Sequence, residues 1–310
     1  PPEIPSPDWT LMGLPSSRRL PVLPVETSRG CPFNCAYCSE VTYWGKPVRY
    51  RSIDSVVAEL RRNAEQFGIT TCRFTDSCFS APPERSAALC DAIYEGCVSR
   101  GIPIKWSSYA RVSNLDRSLL TKMKRSGCVA LDIGVESGSE KMLRAMGRHY
   151  APEAAIEVAS VARELGIITN FNVVVGFPGE TRESIVETAR LIDRAAPDTY
   201  SCFLFYLAAN TRVDATAAQY SLEGQGLNWR HATMNSEEAA AGMKFIEETA
   251  TSAAKLPGGE YFACYLASLG FSVAEIQGFY RDVARVRDGA DAEVMMSKLG
   301  GLVESIRNYL

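Results

Sequence analysis

From residue 23 to about residue 212 the chain alternates short apolar runs with longer amphipathic ones. "PVLPVETS" is apolar and extended, and "SIDSVVAELRRNAEQFG" repeats Val56, Leu60 and Ala64 at helical spacing before stopping at Gly68. The same alternation continues. "TTCRFTD" predicts a strand, "PERSAALCDAIYEGCVSRG" a helix ending at Gly101, "PIKWSSYA" a strand and "DRSLLTKMKRSG" a helix ending at Gly127. "CVALDIGVES" predicts a strand, followed by helices in "SEKMLRAMG" and "APEAAIEVASVARELG", the second with Pro in its first turn. "ITNFNVVVGF" predicts a strand, "ETRESIVETARLIDRAA" a helix and "TYSCFLFYLA" a last strand. Six β/α units at intervals of about thirty residues predict an α/β fold, a parallel sheet covered by helices, as an open sheet or a barrel. Three segments follow: a proline-rich linker or arm at 1–22, a β/α core at 23–212, and an Ala-rich extension at 213–310 where strand signals stop and helix is expected.

Composition narrows the class. Of 310 residues, 46% are apolar and 22% charged, the balance of an ordinary globular chain, and the formal net charge is −3, without the basic block that nucleic acid attracts. No apolar run reaches the length of a membrane-spanning helix. The ten cysteines are too dilute for a disulfide framework, which points to a reducing cytoplasm. The chain opens Pro-Pro-Glu rather than Met, leaving room for a preceding domain.

Three of those cysteines stand within eight residues: Cys31, Cys35 and Cys38 in "ETSRGCPFNCAYCSE", on the loop after the first predicted strand. Loops at strand C-terminal ends carry the chemistry of parallel β/α folds. Thiolates are soft ligands for zinc or iron–sulfur clusters. Structural zinc closes on four ligands, and no fourth is local; the chain has only His149 and His231. A four-iron cluster on three thiolates keeps one iron open. A zinc-bound structural module remains the non-enzymatic alternative.

"CPFNCAYC" after a first strand resembles the cluster motif of the radical S-adenosylmethionine (SAM) superfamily. "SSYARVSNLDRSLLTKMKRSGCVALDIGVESGSEKMLRAMGR" and "VVVGFPGET" resemble the branch containing cobalamin-dependent enzymes and methylthiotransferases, and the likeness runs from 23 to 212. It implies a partial (β/α)6 TIM-type barrel, a 4Fe–4S cluster held by Cys31, Cys35 and Cys38, and SAM on the open iron. It further implies an electron donor such as flavodoxin or ferredoxin and a small-molecule substrate. Cofactor contacts carried over by position are Tyr37 against adenine, Asp76 near the methionyl amine, Ser108 and Arg111 near the carboxylate, Glu136 and Ser137 at ribose, Asn172 in the lumen and Gly176 beside adenosine. His231 in "NWRHATM" and Cys78 at the mouth of the second strand are candidate catalytic residues, with structural roles as the rival reading. Two reactions stay open. One is cobalamin-dependent methyl transfer, which needs a corrinoid and a cobalamin-binding domain, since this chain has no D-x-H-x-x-G motif. The other is a cobalamin-independent rearrangement, dehydration, cyclisation or methylthiolation.

Overall fold

A computed structural model describes residues 4–13 and 21–285. Residues 1–3 and 14–20 of the arm and 286–310 of the extension lie outside the described residues.

Strands β1 (Leu23–Val25), β2 (Thr71–Phe74), β3 (Lys105–Arg111), β4 (Cys128–Glu136), β5 (Ile168–Val175) and β6 (Thr199–Leu204) lie side by side in chain order, each parallel to the next. A short strand β7 (Ala254–Lys255) adds parallel to β6, and among the described residues the two edges do not pair. The result is the α/β partial barrel, open along one side.

Parallel neighbours need crossovers, here helices α1 (Ile53–Phe67), α2 (Pro83–Gly96), α3 (Arg117–Arg125), α4 (Glu140–Met146), α5 (Glu153–Glu164) and α6 (Arg182–Ala195). Local chemistry fixes their ends. The Ser52 hydroxyl accepts from Ser55 N at the start of α1, and Asp116 accepts from Leu119 N at 2.7 Å at the start of α3. Helix α2 stops at Gly96, earlier than expected, and a 3₁₀ turn at Val98–Arg100 carries the chain to Gly101. The outward strand residues, among them Phe74, Trp106, Leu131, Ile133, Phe171 and Tyr200, form one core with these helices. Trp106, Phe74 and Phe79 meet there with ring centroids about 5 Å apart.

The extension, expected to be mostly helical with a polar, Gly-containing loop near 222–228, instead folds that stretch into strands. Residues Glu223–Gln225, Asn228–His231 and Met234–Asn235 form a three-stranded antiparallel sheet, so "NWRH" is its central strand. Helix α7 (Ser236–Thr249) then packs beside α6 and along β5 and β6. Beyond β7, helix α8 (Gly259–Ser268) packs across β2 to β6 on the face opposite to the crossover helices, and α9 (Val273–Arg285) follows it. A second core, with Ala130, Ile168 and Ala254 against Ala263, Leu266, Ala267, Ile276 and Tyr280, marks that contact. Hence β4 is buried on both faces and reads as a nearly continuous apolar run.

Candidate active site at the open end of the barrel

The loop after β1 opens with Thr27 and Ser28, and Asp76, just past β2, holds both. It accepts from Thr27 N at 3.2 Å, from Thr27 Oγ1 at 2.7 Å and from Ser28 Oγ. Burial pushes the Asp76 carboxyl up, partly offset by these donors. Gly30 follows with φ of 95°, a left-handed turn that a residue with a Cβ resists, and directs the chain into Cys31.

All ten cysteines are free. Cys35 is buried, while Cys31 and Cys38 are half-buried, and desolvation pushes both of those thiols up to about 11. Arg111, the last residue of β3, donates from Nη1 to Cys35 Sγ at 3.1 Å and from Nη2 to Gly147 O, and its guanidinium lies 4.1 Å from the Phe33 ring centroid. Ala36 N donates to Met146 O and Val213 N to Ala36 O, so α4 and the start of the extension grip the same loop. Among the described residues no three His, Cys, Asp or Glu side chains close round a single metal ion. A four-iron cube makes no such demand, because each thiolate binds a different iron. Three free thiols at a strand end, one already under a guanidinium, suit it.

Glu136 ends β4 with φ of 69°, and its carboxylate accepts from Arg148 Nη2. The same nitrogen donates to Tyr37 Oη at 2.8 Å, and the Tyr37 ring meets Phe177 edge-on at 6.3 Å. Tyr150 Oη donates to Val135 O beside them. Arg148 thus ties the cysteine loop to the end of β4, a role absent from the sequence reading; "GRHY" gave no periodic signal for it.

The turn after β5 is built around Gly176, whose φ is 93°. A Cβ there would sit 2.5 Å from the Trp229 ring. Glu180 accepts from Gly176 N, and burial pushes its carboxyl up to about 7. His231 Nε2 donates to Gly176 O at 3.2 Å and its Nδ1 accepts from Thr233 N, which sets the tautomer. Its ring stacks on Trp229 at 5.3 Å, and Trp229 Nε1 donates to Phe205 O. Trp229 and His231 are buried props of the turn.

The pleat separates the remaining candidates. Tyr109 and Arg111 share one face of β3; Ser108 points to the other, between Trp106 and Ala110, with its hydroxyl buried and unpaired. Ser137 meets Thr188 of α6 and caps Ser139 N. Asn172 faces the lumen, donating to Asp132 Oδ1 at 2.6 Å. Cys78 is buried beside Ser80, near enough to Cys31 for their charges to interact, and desolvation raises its thiol. Cys31, Cys35, Cys38, Tyr37, Asp76, Arg111 and Glu136 therefore gather at one end of the barrel, Ser108 faces the other side of its strand, and Ser137 is taken up by Thr188 and Ser139.

An open parallel barrel with three free thiols on its first strand's loop has the outline that the cluster motif implies. Residues 25–192, more than half of the chain, match the Radical SAM superfamily, and the chain belongs to it. It is an enzyme family built on a 4Fe–4S cluster and SAM. An uncharacterised methyltransferase of Pyrococcus horikoshii is 31% identical over 190 residues, 61% of this chain and 40% of that protein. The anaerobic magnesium-protoporphyrin IX monomethyl ester cyclase of Cereibacter sphaeroides is 27% identical over 175 residues, 55% of this chain and 28% of that one. Among solved structures, the radical SAM methyltransferase TsrM of Kitasatospora setae, with cobalamin and a 4Fe–4S cluster bound, superposes with a TM-score of 0.60 at 23% identity, over 64% of this chain and 37% of that one. The chain spans less than half the length of the curated relatives it matches. Among the described residues no helix is long and apolar enough to cross a membrane.

Proposed function

We propose that the chain is the catalytic barrel of a radical SAM transferase that methylates a small molecule with the help of cobalamin. The observation that carries the radical SAM part is the Cys31–Cys35–Cys38 loop seated at the barrel mouth with Arg111 donating to Cys35. The transferase part is supported by the methyltransferase of Pyrococcus horikoshii. Cys31, Cys35 and Cys38 would hold a 4Fe–4S cluster, which when bound would supply the one electron that reductive cleavage of SAM needs. The chain's own residues do the rest. Asp76 presets the loop, Arg111 steadies the Cys35 thiolate, and Arg148 holds Glu136 and Tyr37 in register beside it. The Gly176 turn offers backbone to adenosine, with Trp229 and His231 behind it. Cobalamin comes from a domain outside this chain, and the electron from a donor such as flavodoxin or ferredoxin in the reducing cytoplasm. The likeness to a cyclase supports a second reading, cobalamin-independent ring closure.

Anaerobic incubation of the chain together with its cobalamin-binding domain, SAM and reductant, with and without cobalamin, separates the readings. Corrinoid-dependent S-adenosylhomocysteine together with 5′-deoxyadenosine is expected. 5′-Deoxyadenosine alone, unaffected by cobalamin, overturns the methyltransferase reading in favour of the second.

The adenosine-side turn carries its own pH signature. The folded-state Glu180 carboxyl titrates near 7, above its unfolded value near 4.5. Between these the folded state binds more protons, so this group's contribution to stability falls as pH rises through that window. Glu180→Gln is expected to flatten the wild-type decline in stability from pH 5 to 7, read by thermal melts at each pH. A parallel decline in the variant contradicts the assignment.

A further inference from the structure

The face of the sheet that α8 covers carries a layer of polar side chains that the cluster site does not use. Strand alternation puts Arg73 of β2, Tyr109 of β3, Asp132 of β4, and Asn170 and Asn172 of β5 on the face that α8 covers. Two acids there share one arginine. Arg73 Nη1 donates to Glu260 Oε1 of α8, and its Nη2 lies 3.9 Å from Asp132 Oδ2. Asp132 Oδ1 accepts from Asn170 at 2.7 Å and Asn172 at 2.6 Å, and Asn170 in turn accepts from Thr199. Lys105, lower on β3, is committed to Ala267 O at 2.6 Å.

Asp132 and Glu260 are both buried, and Glu260 Oε2 has no partner. Two acids against one arginine leave a formal charge of −1 in a desolvated layer, which is costly unless a cation or proton completes it. Burial, with Glu260 nearby, pushes the Asp132 carboxyl up to about 7. If the layer merely anchored α8, matched charges and paired oxygens would serve better. Yet aromatic rings on this face are exposed: Tyr109 is 41% exposed, Tyr261 of α8 49%, and Phe203, on the same face of β6 as Ser201, 48%. Arg73 already lies over the Tyr109 ring at 4.5 Å, so these ring faces accommodate positive charge. An anion would face two carboxylates.

We propose that this layer is the substrate floor of the barrel and takes the cationic nitrogen, ammonium or guanidinium, of a small molecule whose apolar part lies against Tyr109 and Phe203. The inference rests on the reading of the chain as a SAM-dependent enzyme and names the substrate class of that same site.

The test uses the full chain reconstituted with its cluster, titrated anaerobically by calorimetry at neutral pH. SAM binding is read first. Phenethylamine and its isosteric alcohol are then compared as probes, whether or not SAM binds. The amine is expected to bind about tenfold tighter than the alcohol, the low end for a charge-assisted hydrogen bond. Asp132→Asn and Glu260→Gln are each expected to shrink that preference, whereas Phe203→Ala weakens both probes together. Should Asp132→Asn fail to fold, Glu260→Gln carries the comparison. Equal affinities, preference for the alcohol, binding of neither probe, or a preference that survives the acid substitutions overturns the floor assignment. Failure to bind SAM refutes the parent reading instead, so the two failures are distinguishable.

Discussion

Replacing any one of Cys31, Cys35 or Cys38 by Ala abolishes the cluster: iron and sulfide fall to background and the broad visible absorbance of the anaerobically reconstituted protein is lost. The reason is stoichiometric. Three irons each need a thiolate, and among the described residues no other group of metal-ligating side chains converges to substitute. The effect is on the site, not the fold. Cys38 is half-buried on a loop held by neighbouring backbone bonds, so the apo-protein melts of wild type and Cys38→Ala should nearly coincide. The control is Cys90→Ala on α2, in the core. It should retain a full cluster while melting lower. Full iron and sulfide in any of the three loop variants contradicts the site.

Arg148→Met should damage both stability and the site. It strands the Glu136 carboxylate, buried with Arg148 as its ion-pair partner, and removes the donor to Tyr37 Oη. Breaking one side of a buried pair costs about 3–5 kcal/mol, a large share of a typical domain's stability. The double variant Arg148→Met with Glu136→Gln removes the stranded charge and should recover part of the loss. Chemical denaturation of the three proteins checks it. If the double variant is no more stable than Arg148→Met alone, charge burial is not the cause. Because Tyr37 sits between Cys35 and Cys38, SAM affinity should fall in both variants.

These two sites mark how far the chain could be read from its letters. The six β/α units were legible because each strand and helix carries its own period and each helix its own stop. The cysteine loop was legible because three thiols in eight residues have few other uses. Direction was harder. Ser108 and Arg111 lie three apart on one strand, and period two puts them on opposite faces, so only Arg111 reaches the thiols. Ser137 likewise turned to Thr188, since the chain bends after Glu136. Arg148 escaped notice because its partners, Tyr37 and Glu136, are joined to it only by the tertiary fold. In the extension, strands of two to four residues in a Gly-containing stretch are too short to show alternation. Helix α8 reads as an ordinary apolar helix, and nothing in its pattern says that it lies on the concave face with Glu260 beside Arg73.

The central claim is that the three thiolates leave one iron of four free for SAM. Mössbauer spectroscopy of protein reconstituted with isotopically enriched iron, recorded with and without SAM, tests it most directly. The account predicts a quarter of the iron signal shifting to the parameters of an iron with added nitrogen and oxygen ligands when SAM binds, and no such shift without it. Four irons whose spectrum is unchanged by saturating SAM, or a protein that holds stoichiometric zinc and no sulfide after anaerobic purification, would contradict it.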